Sequence, residues 1–160
     1  MWATPTVLQV FNSEVRDLFY SEKVKKAALI AYNAHKNQFD KGGYPYIMHP
    51  VHIAEQMETE DETIAALLHD VVEDTDISFE YLKNEGFSDT VLDCLKILTR
   101  TPDEDYMEYI KKIKKAGGIA LKIKKADMAH NMIKERISEK LPTDESRMEK
   151  YRAAFDILNG

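Results

Sequence analysis

The run Ile64-Ala65-Ala66-Leu67-Leu68-His69-Asp70-Val71-Val72-Glu73-Asp74 constrains this chain more than any other stretch. Wound as an α-helix at about 100° per residue, it puts Ile64, Ala65, Leu67, Leu68, Val71 and Val72 on one broad arc that can dock into a core. His69, Asp70, Glu73 and Asp74 share the opposite arc with little but Ala66 between them. Water tolerates such an arc, so a solvated face is one reading. The other comes from the His-Asp adjacency: neighbouring helical side chains diverge by about a quarter turn, so both can bind one ion. Two ligands make no site, and structural sites usually need four, so the rest of the chain must supply the others.

At 160 residues, one domain spanning 1–160 is expected, able to bury roughly 70% of its unfolded surface. Abundant Leu, Ile, Ala, Lys and Glu with few Gly and Pro favour an all-α fold. The single cysteine, Cys94, excludes an internal disulfide, and its place between Leu92 and Leu95 makes it a buried structural thiol. Nothing at residues 1–11 resembles a signal peptide, and no apolar run approaches the roughly 18 residues of a membrane span. A cytoplasmic protein without a membrane partner is expected. The net charge of −6 argues against nucleic acid binding over the whole surface. Lys111, Lys112, Lys114, Lys115, Lys122, Lys124 and Lys125 nonetheless crowd one segment, and Lys23, Lys25 and Lys26 another. They read either as solvated helix faces or as a basic rim that attracts a small polyanion.

Capping residues and helical spacing divide the chain into short helices. A first helix is expected over Pro5–Tyr20. Ser21 caps a second, which runs to about Phe39 and carries His35 near its buried side. The loop Asp40-Lys41-Gly42-Gly43-Tyr44-Pro45-Tyr46 follows; its tyrosines can pack the loop down or stack on a flat ligand. His49-Pro50 opens the next helix. Asp61 caps the central one, Ser78 and Ser88 cap two more, and Pro102-Asp103-Glu104 begins another that ends at Gly117-Gly118. A helix over about Ile119–Glu135 comes next, then Pro142 breaks the chain. A last helix, capped by Thr143 or Asp144, runs to about Leu158. No strand pattern persists, and short connections imply a compact helical bundle.

Asp127 lies at the core edge of its helix with Lys124 and Asn131 on the same face, where an unpartnered carboxylate is costly. A metal would satisfy it, and so would a lysine. His35, His69, Asp70 and Asp127 form a two-nitrogen, two-oxygen set that suits Mn²⁺, Fe²⁺, Co²⁺ or Zn²⁺, with positions left open for water and a substrate oxygen. Glu73, one turn beyond His69-Asp70, is placed to orient that water or accept its proton, with Asp74 beside it.

His35, Tyr44-Pro45-Tyr46-Ile47-Met48-His49-Pro50, Leu67-Leu68-His69-Asp70-Val71-Val72-Glu73-Asp74-Thr75 and Lys125-Ala126-Asp127-Met128-Ala129-His130-Asn131-Met132 together resemble the HD-superfamily hydrolase domain of the RelA/SpoT proteins, and within it the stand-alone small alarmone hydrolases. The resemblance covers about residues 22 to 135 and implies an HD-type helical bundle with a metal site between helices. It implies Mn²⁺-dependent hydrolysis of (p)ppGpp, cleaving the bond between the ribose 3′-oxygen and the diphosphate. Carried over, His35, His69, Asp70 and Asp127 are the metal ligands, and Glu73 and Asp74 the acidic pair that handles the attacking water. The substrate contacts are Lys25 or Lys26 ahead of His35, Lys41 and Tyr46 in the loop, Asn131, and Lys150 with Tyr151. His49 and His130 are read as braces, not ligands. Asp40 and Tyr44 stand where the family often has a basic and an acidic residue, and a tyrosine-rich helix follows Leu98-Thr99-Arg100-Thr101-Pro102-Asp103. These departures bear on which nucleotide fits. The alternatives are hydrolysis of another nucleotide or a phosphomonoester, and a non-catalytic nucleotide-binding module. The oligomeric state is left open, and with nothing after Gly160 no synthetase domain is expected.

Overall fold

Five side chains start helices by the same local device. Ser21, Thr59, Ser78 and Ser88 accept hydrogen bonds from backbone N–H groups three residues on, and Asp105 accepts from the amides of Met107 and Glu108. Each satisfies a donor that the first helical turn leaves open. In this computed structural model, which describes residues 20–133 and 142–160, those caps introduce α1 (Glu22–His35), α3 (Glu60–Leu68), α5 (Phe79–Asn84), α6 (Asp89–Leu98) and α7 (Tyr106–Ala116). The remaining helices are α2 (Met48–Ala54), α4 (Val71–Asp74), α8 (Gly118–Asn131) and α9 (Pro142–Asn159). The expected helix over Pro5–Tyr20 and the expected end at Glu135 lie outside the described residues, as do the side chains of Thr143 and Asp144. Among the described residues no helix is long and apolar enough to cross a membrane.

The fold is all-α, as the composition and spacing imply, with local differences. α1 stops at His35, four residues before Phe39. The chain then turns so that Phe39 pairs with Pro45 in an isolated bridge, and Asp40 Oδ1 accepts from the amides of Gly42 and Tyr44. The carboxylate of Asp40 thus shapes the loop from within. Thr59, not Asp61, caps α3: Thr59 and Glu62 form a reciprocal capping box, and Asp61 accepts from the Ser88 hydroxyl at 3.1 Å, tying the starts of α3 and α6 together. α7 begins at Tyr106, after Pro102–Glu104 have made a turn. Pro142 opens α9 instead of interrupting the chain, a position where its missing N–H costs nothing.

α3 is the hub. It packs against α1, α2, α6 and α8, and every residue from Thr63 to Leu68 is buried. Ala66, which helical spacing assigns to the polar arc, is therefore core, because neighbours enclose the helix on all sides. The expected single helix from Ile64 to Asp74 breaks after Leu68. Asp70 takes φ −99°, ψ −7°, and a separate short helix, α4, resumes at Val71. His69 Nδ1 lies 2.7 Å from the Ala66 carbonyl, the acceptor the Asp70 amide would use in an unbroken helix. α9 closes the bundle against α7 and α8.

Leu95 on α6 is fully buried in this core, so Leu95→Ala is expected to lower stability by about 2–5 kcal/mol, read as a lower urea midpoint at unchanged slope. Burial pushes the Cys94 thiol up to about 12. At about pH 8 it holds almost no reactive thiolate, and a thiol reagent should modify it only after denaturant is added.

Candidate metal centre and active site

Three helix junctions converge behind the break in α3. α2 contributes His49 in its first turn, the break contributes His69 and Asp70, and α8 contributes Asp127. His49 Nε2 is 3.2 Å from Asp127 Oδ1 and 3.6 Å from Asp70 Oδ2, and His69 Nε2 is 3.1 Å from Asp70 Oδ2. Donor atoms of His49, His69 and Asp70 all fall within 4.8 Å of one another. Bonds of about 2.0–2.2 Å to an ion at right or tetrahedral angles put neighbouring ligand atoms roughly 3–3.6 Å apart, which is the spacing seen here. His49, His69 and Asp127 are all buried.

Hydrogen bonds on the far side of each ring orient it. A carbonyl only accepts, so His69 Nδ1 carries a hydrogen toward Ala66 and Nε2 is the atom turned to the cluster, buried and 3.1 Å from Asp70 Oδ2. His49 Nδ1 lies 2.7 Å from His130 Nδ1, a bond between imidazoles that supports the ring His49 aims at Asp70 and Asp127. A buried orphan nitrogen, a second imidazole and two carboxylates are a donor set that fits a divalent transition ion.

This arrangement adds His49 to the residues that the sequence places around an ion. His35 is buried with an orphan Nε2 of its own, and its Nδ1 meets Gln38 Oε1 at 2.8 Å. Its ring lies tilted against Tyr46 at 4.9 Å, and Tyr46 in turn lies 5.6 Å from His49. Tyr46 thus touches both rings, and its hydroxyl donates to Asp70 Oδ2 at 2.6 Å. His49, read from sequence as a brace, lies beside Asp70 and Asp127, while His35 keeps a buried, unpartnered Nε2 like that of His69. The available signal was the Tyr46–His49 spacing of three residues, which brings both side chains to Asp70.

The cluster is strongly polarised. Burial alone would lower the His69 imidazole, but Asp70, Asp127 and the Ala66 carbonyl outweigh it and hold it up to about 9. Burial opposes ionisation of Asp70 and Asp127, yet His69 keeps the first carboxyl well below its usual range, and Lys124 and His49 do the same for the second. Burial lowers His49 against the pull of Asp127. Lys124 Nζ sits 2.7 Å from Asp127 Oδ2, and Asn131 donates to Oδ1 at 2.5 Å. Asp127 thus has the lysine partner anticipated for it, while its other oxygen faces His49.

The cluster borders a cavity of about 330 Å³. Asp70, Glu73 and Asp127 lie along it with Tyr46 and Asn131, and Arg100, Tyr106, Tyr109, Lys124, Met128, Arg147, Lys150 and Tyr151 form the rest of its wall. Of the expected substrate contacts, Tyr46, Asn131, Lys150 and Tyr151 are on this wall. Lys25 and Lys26 are not: Lys25 is exposed beside Glu22, and Lys26 is tied to the carboxylate and carbonyl of Glu85. Lys41 is exposed in the loop and off the wall. Of the Lys111–Lys125 cluster, Lys124 alone lines the cavity; Lys111, Lys112 and Lys122 pair with Glu108, Glu104 and Glu58/Glu62. Of the expected acidic pair, Glu73 borders the cavity and accepts from the Arg100 amide at 3.0 Å, whereas Asp74 is exposed and off the wall. Burial, with the charges of Asp70 and Glu73, raises the Asp74 carboxyl.

Arg100, Tyr106, Tyr109 and Arg147 were not among the expected site residues, though the first three sit in the segment that departs from the family pattern. Aromatic rings hold the cations here. Lys150 Nζ is 4.0 Å from the Tyr106 centroid, Arg147 5.7 Å from Tyr151, and Lys124 5.3 Å from Tyr109.

Residues 27–140 match the family described as the HD domain. The chain belongs to the HD-domain family. This HD domain is 41% identical over 117 residues to a guanosine-3′,5′-bis(diphosphate) 3′-pyrophosphohydrolase of Haemophilus influenzae, covering 65% of the chain and 17% of that protein. It is 36% identical over 127 residues to the bifunctional (p)ppGpp synthase/hydrolase SpoT of Escherichia coli, covering 69% and 18%. It thus spans less than a fifth of the length of these two relatives. A solved structure described as a metazoan ortholog of SpoT that hydrolyses ppGpp superposes with a TM-score of 0.75 at 26% identity, over 88% of this chain and 87% of that one.

The contrast between the two histidines is open to measurement. His49→Ala should weaken Mn²⁺ binding by calorimetry beyond the about 10–100-fold typical of losing a supporting partner, while His35→Ala should stay inside that range. A larger loss for His35→Ala would make His35 a ligand as well.

Proposed function

We propose that this HD domain is a Mn²⁺-dependent pyrophosphohydrolase of (p)ppGpp, releasing pyrophosphate from the ribose 3′-position and leaving GDP or GTP. The observation that carries the reading is one cavity with two chemistries: Asp70 and Asp127, which belong to the cluster with His49 and His69, stand beside Glu73 on one part of its wall, and Lys124, Arg147 and Lys150 on another. The naming of the relatives supports it. A divalent ion held by the four clustered residues would supply Lewis acidity toward a phosphoryl oxygen and make bound water more acidic.

The chain's own residues account for the remainder. Glu73 borders the cavity with one oxygen fixed by the Arg100 amide, and it takes the proton from the water attacking the 3′-phosphorus. Lys124, Arg147 and Lys150 offset the phosphate charge, each oriented against a tyrosine ring. Asn131 holds Asp127 and lines the cavity beside it. Tyr46 fixes Asp70, and burial together with Asp70 raises its own hydroxyl far above the usual range, so it acts as a donor and not a base. Asp74, whose carbonyl receives the Gln38 amide that also serves His35, supports the acidic turn from outside the cavity.

One observation favours a second reading, hydrolysis of a different phosphorylated nucleotide. Asp40 is used to shape its loop and Lys41 stays off the wall, so the loop brings no cation to the substrate.

The deciding assay is pyrophosphate release from ppGpp with Mn²⁺, then with chelator. Rapid release that chelator abolishes is expected. Glu73→Gln should lower turnover by about 10²–10⁴-fold while Mn²⁺ affinity is kept. Metal binding without release from ppGpp would move the assignment to another nucleotide.

A further inference from the structure

The Thr99–Asp105 connection between α6 and α7 is built more tightly than a plain surface loop requires. The Thr99 hydroxyl donates to the Leu95 carbonyl at 2.8 Å, and the Tyr109 hydroxyl donates to the Leu98 carbonyl. The Glu104 amide donates to the Thr101 carbonyl at 3.1 Å, and the Glu104 carboxylate is anchored on Lys112 at 2.8 Å. Arg100 is the residue this frame presents. Its amide meets Glu73 Oε2 at 3.0 Å, and its guanidinium donates to the Glu104 carbonyl at 3.0 Å. Both Arg100 and Glu73 border the same cavity.

One residue therefore touches the proposed proton acceptor with its backbone and the binding cavity with its side chain. The amide contact fixes Arg100 relative to the reacting bond, and the guanidinium has five donors, of which the Glu104 carbonyl takes one. A planar fork held by its frame is suited to grip a phosphate through two parallel hydrogen bonds. A phosphate at the reacting centre would meet Lys124 and the Asp70/Asp127 side of the cavity, which leaves the Arg100 fork for another part of the ligand.

We propose that Arg100 is a specificity-determining residue that recognises a second, non-reacting diphosphate arm of the nucleotide. It selects nucleotides phosphorylated at two positions over those with a single diphosphate. The proposal rests on the pyrophosphohydrolase reading for the nature of the ligand, but its test reads binding separately from turnover.

The experiment is calorimetric binding of two probes, guanosine 3′,5′-bis(diphosphate) and guanosine 5′-monophosphate 3′-diphosphate, to chelator-treated protein, so that neither is consumed. The unaltered protein should prefer the bis(diphosphate). Arg100→Met should weaken binding of the bis(diphosphate) at least tenfold more than binding of the monophosphate probe. Arg100→Lys, which keeps the charge and the backbone amide but not the fork, should fall between. Parallel losses on both probes in both variants would make Arg100 merely structural and overturn the proposal, as would unchanged preference or failure of the unaltered protein to bind either probe. If the Mn²⁺ form turns over neither nucleotide but the binding preference collapses in Arg100→Met, the hydrolase reading fails and the assignment of Arg100 stands.

Discussion

Asp127 is the constraint on which the rest of the site depends. A carboxylate buried on α8 is costly unless it is paired, and here the pairing runs in three directions. Lys124 lies one turn before it, Asn131 one turn after, and His49 reaches it from α2. The first two contacts are local to one helix and follow from i−3 and i+4 spacing. The third is long-range and fastens α2 to α8, bringing His49 to Asp70 as well. Through that chain the break after Leu68, the loop that carries Tyr46 and the wall formed by α7 and α9 acquire a common reference point. Both carboxylates are held ionised by cationic or imidazole neighbours, so the centre already carries negative charge for a cation to meet.

What could be read from the sequence was whatever one helix or one turn decides alone. Ser21, Ser78 and Ser88 were legible as caps because the cap bond spans three residues. The buried thiol of Cys94 and the end of α7 at Gly117 were legible for similar reasons. The break at His69-Asp70 was not, because the apolar positions Val71 and Val72 continue the helical rhythm across it, and only the competition of the His69 ring for the Ala66 carbonyl and the backbone turn at Asp70 reveal it. Nor was the place of His49 beside Asp70 and Asp127. His35 and His49 both lie on buried helix faces at plausible spacing, and Tyr46 touches both rings. That depends on how the loop folds back, which no local pattern records.

The family relation and the geometry address different parts of the molecule. The HD-domain match and the structural likeness cover the bundle and the His-Asp core. The cations and tyrosines that complete the cavity come partly from Arg100–Tyr109 and partly from α9. The basic residues that crowd the sequence do little of this work. Most are paired on the outside, and the wall is assembled from cations that lie far apart in the chain.

The placement of α9 also orders the assembly of the centre in time. The clustered donors, His49, His69, Asp70 and Asp127, all precede residue 128, whereas Arg147, Lys150 and Tyr151 arrive on the closing helix. During synthesis the N-terminal part of a chain is available to fold first, so the ion-binding half of the site can form before the anion-binding half exists. An ion captured at that stage would pin α2, the break and α8 together, giving α9 a finished surface on which to dock. The nucleotide site would then report that the last helix has seated.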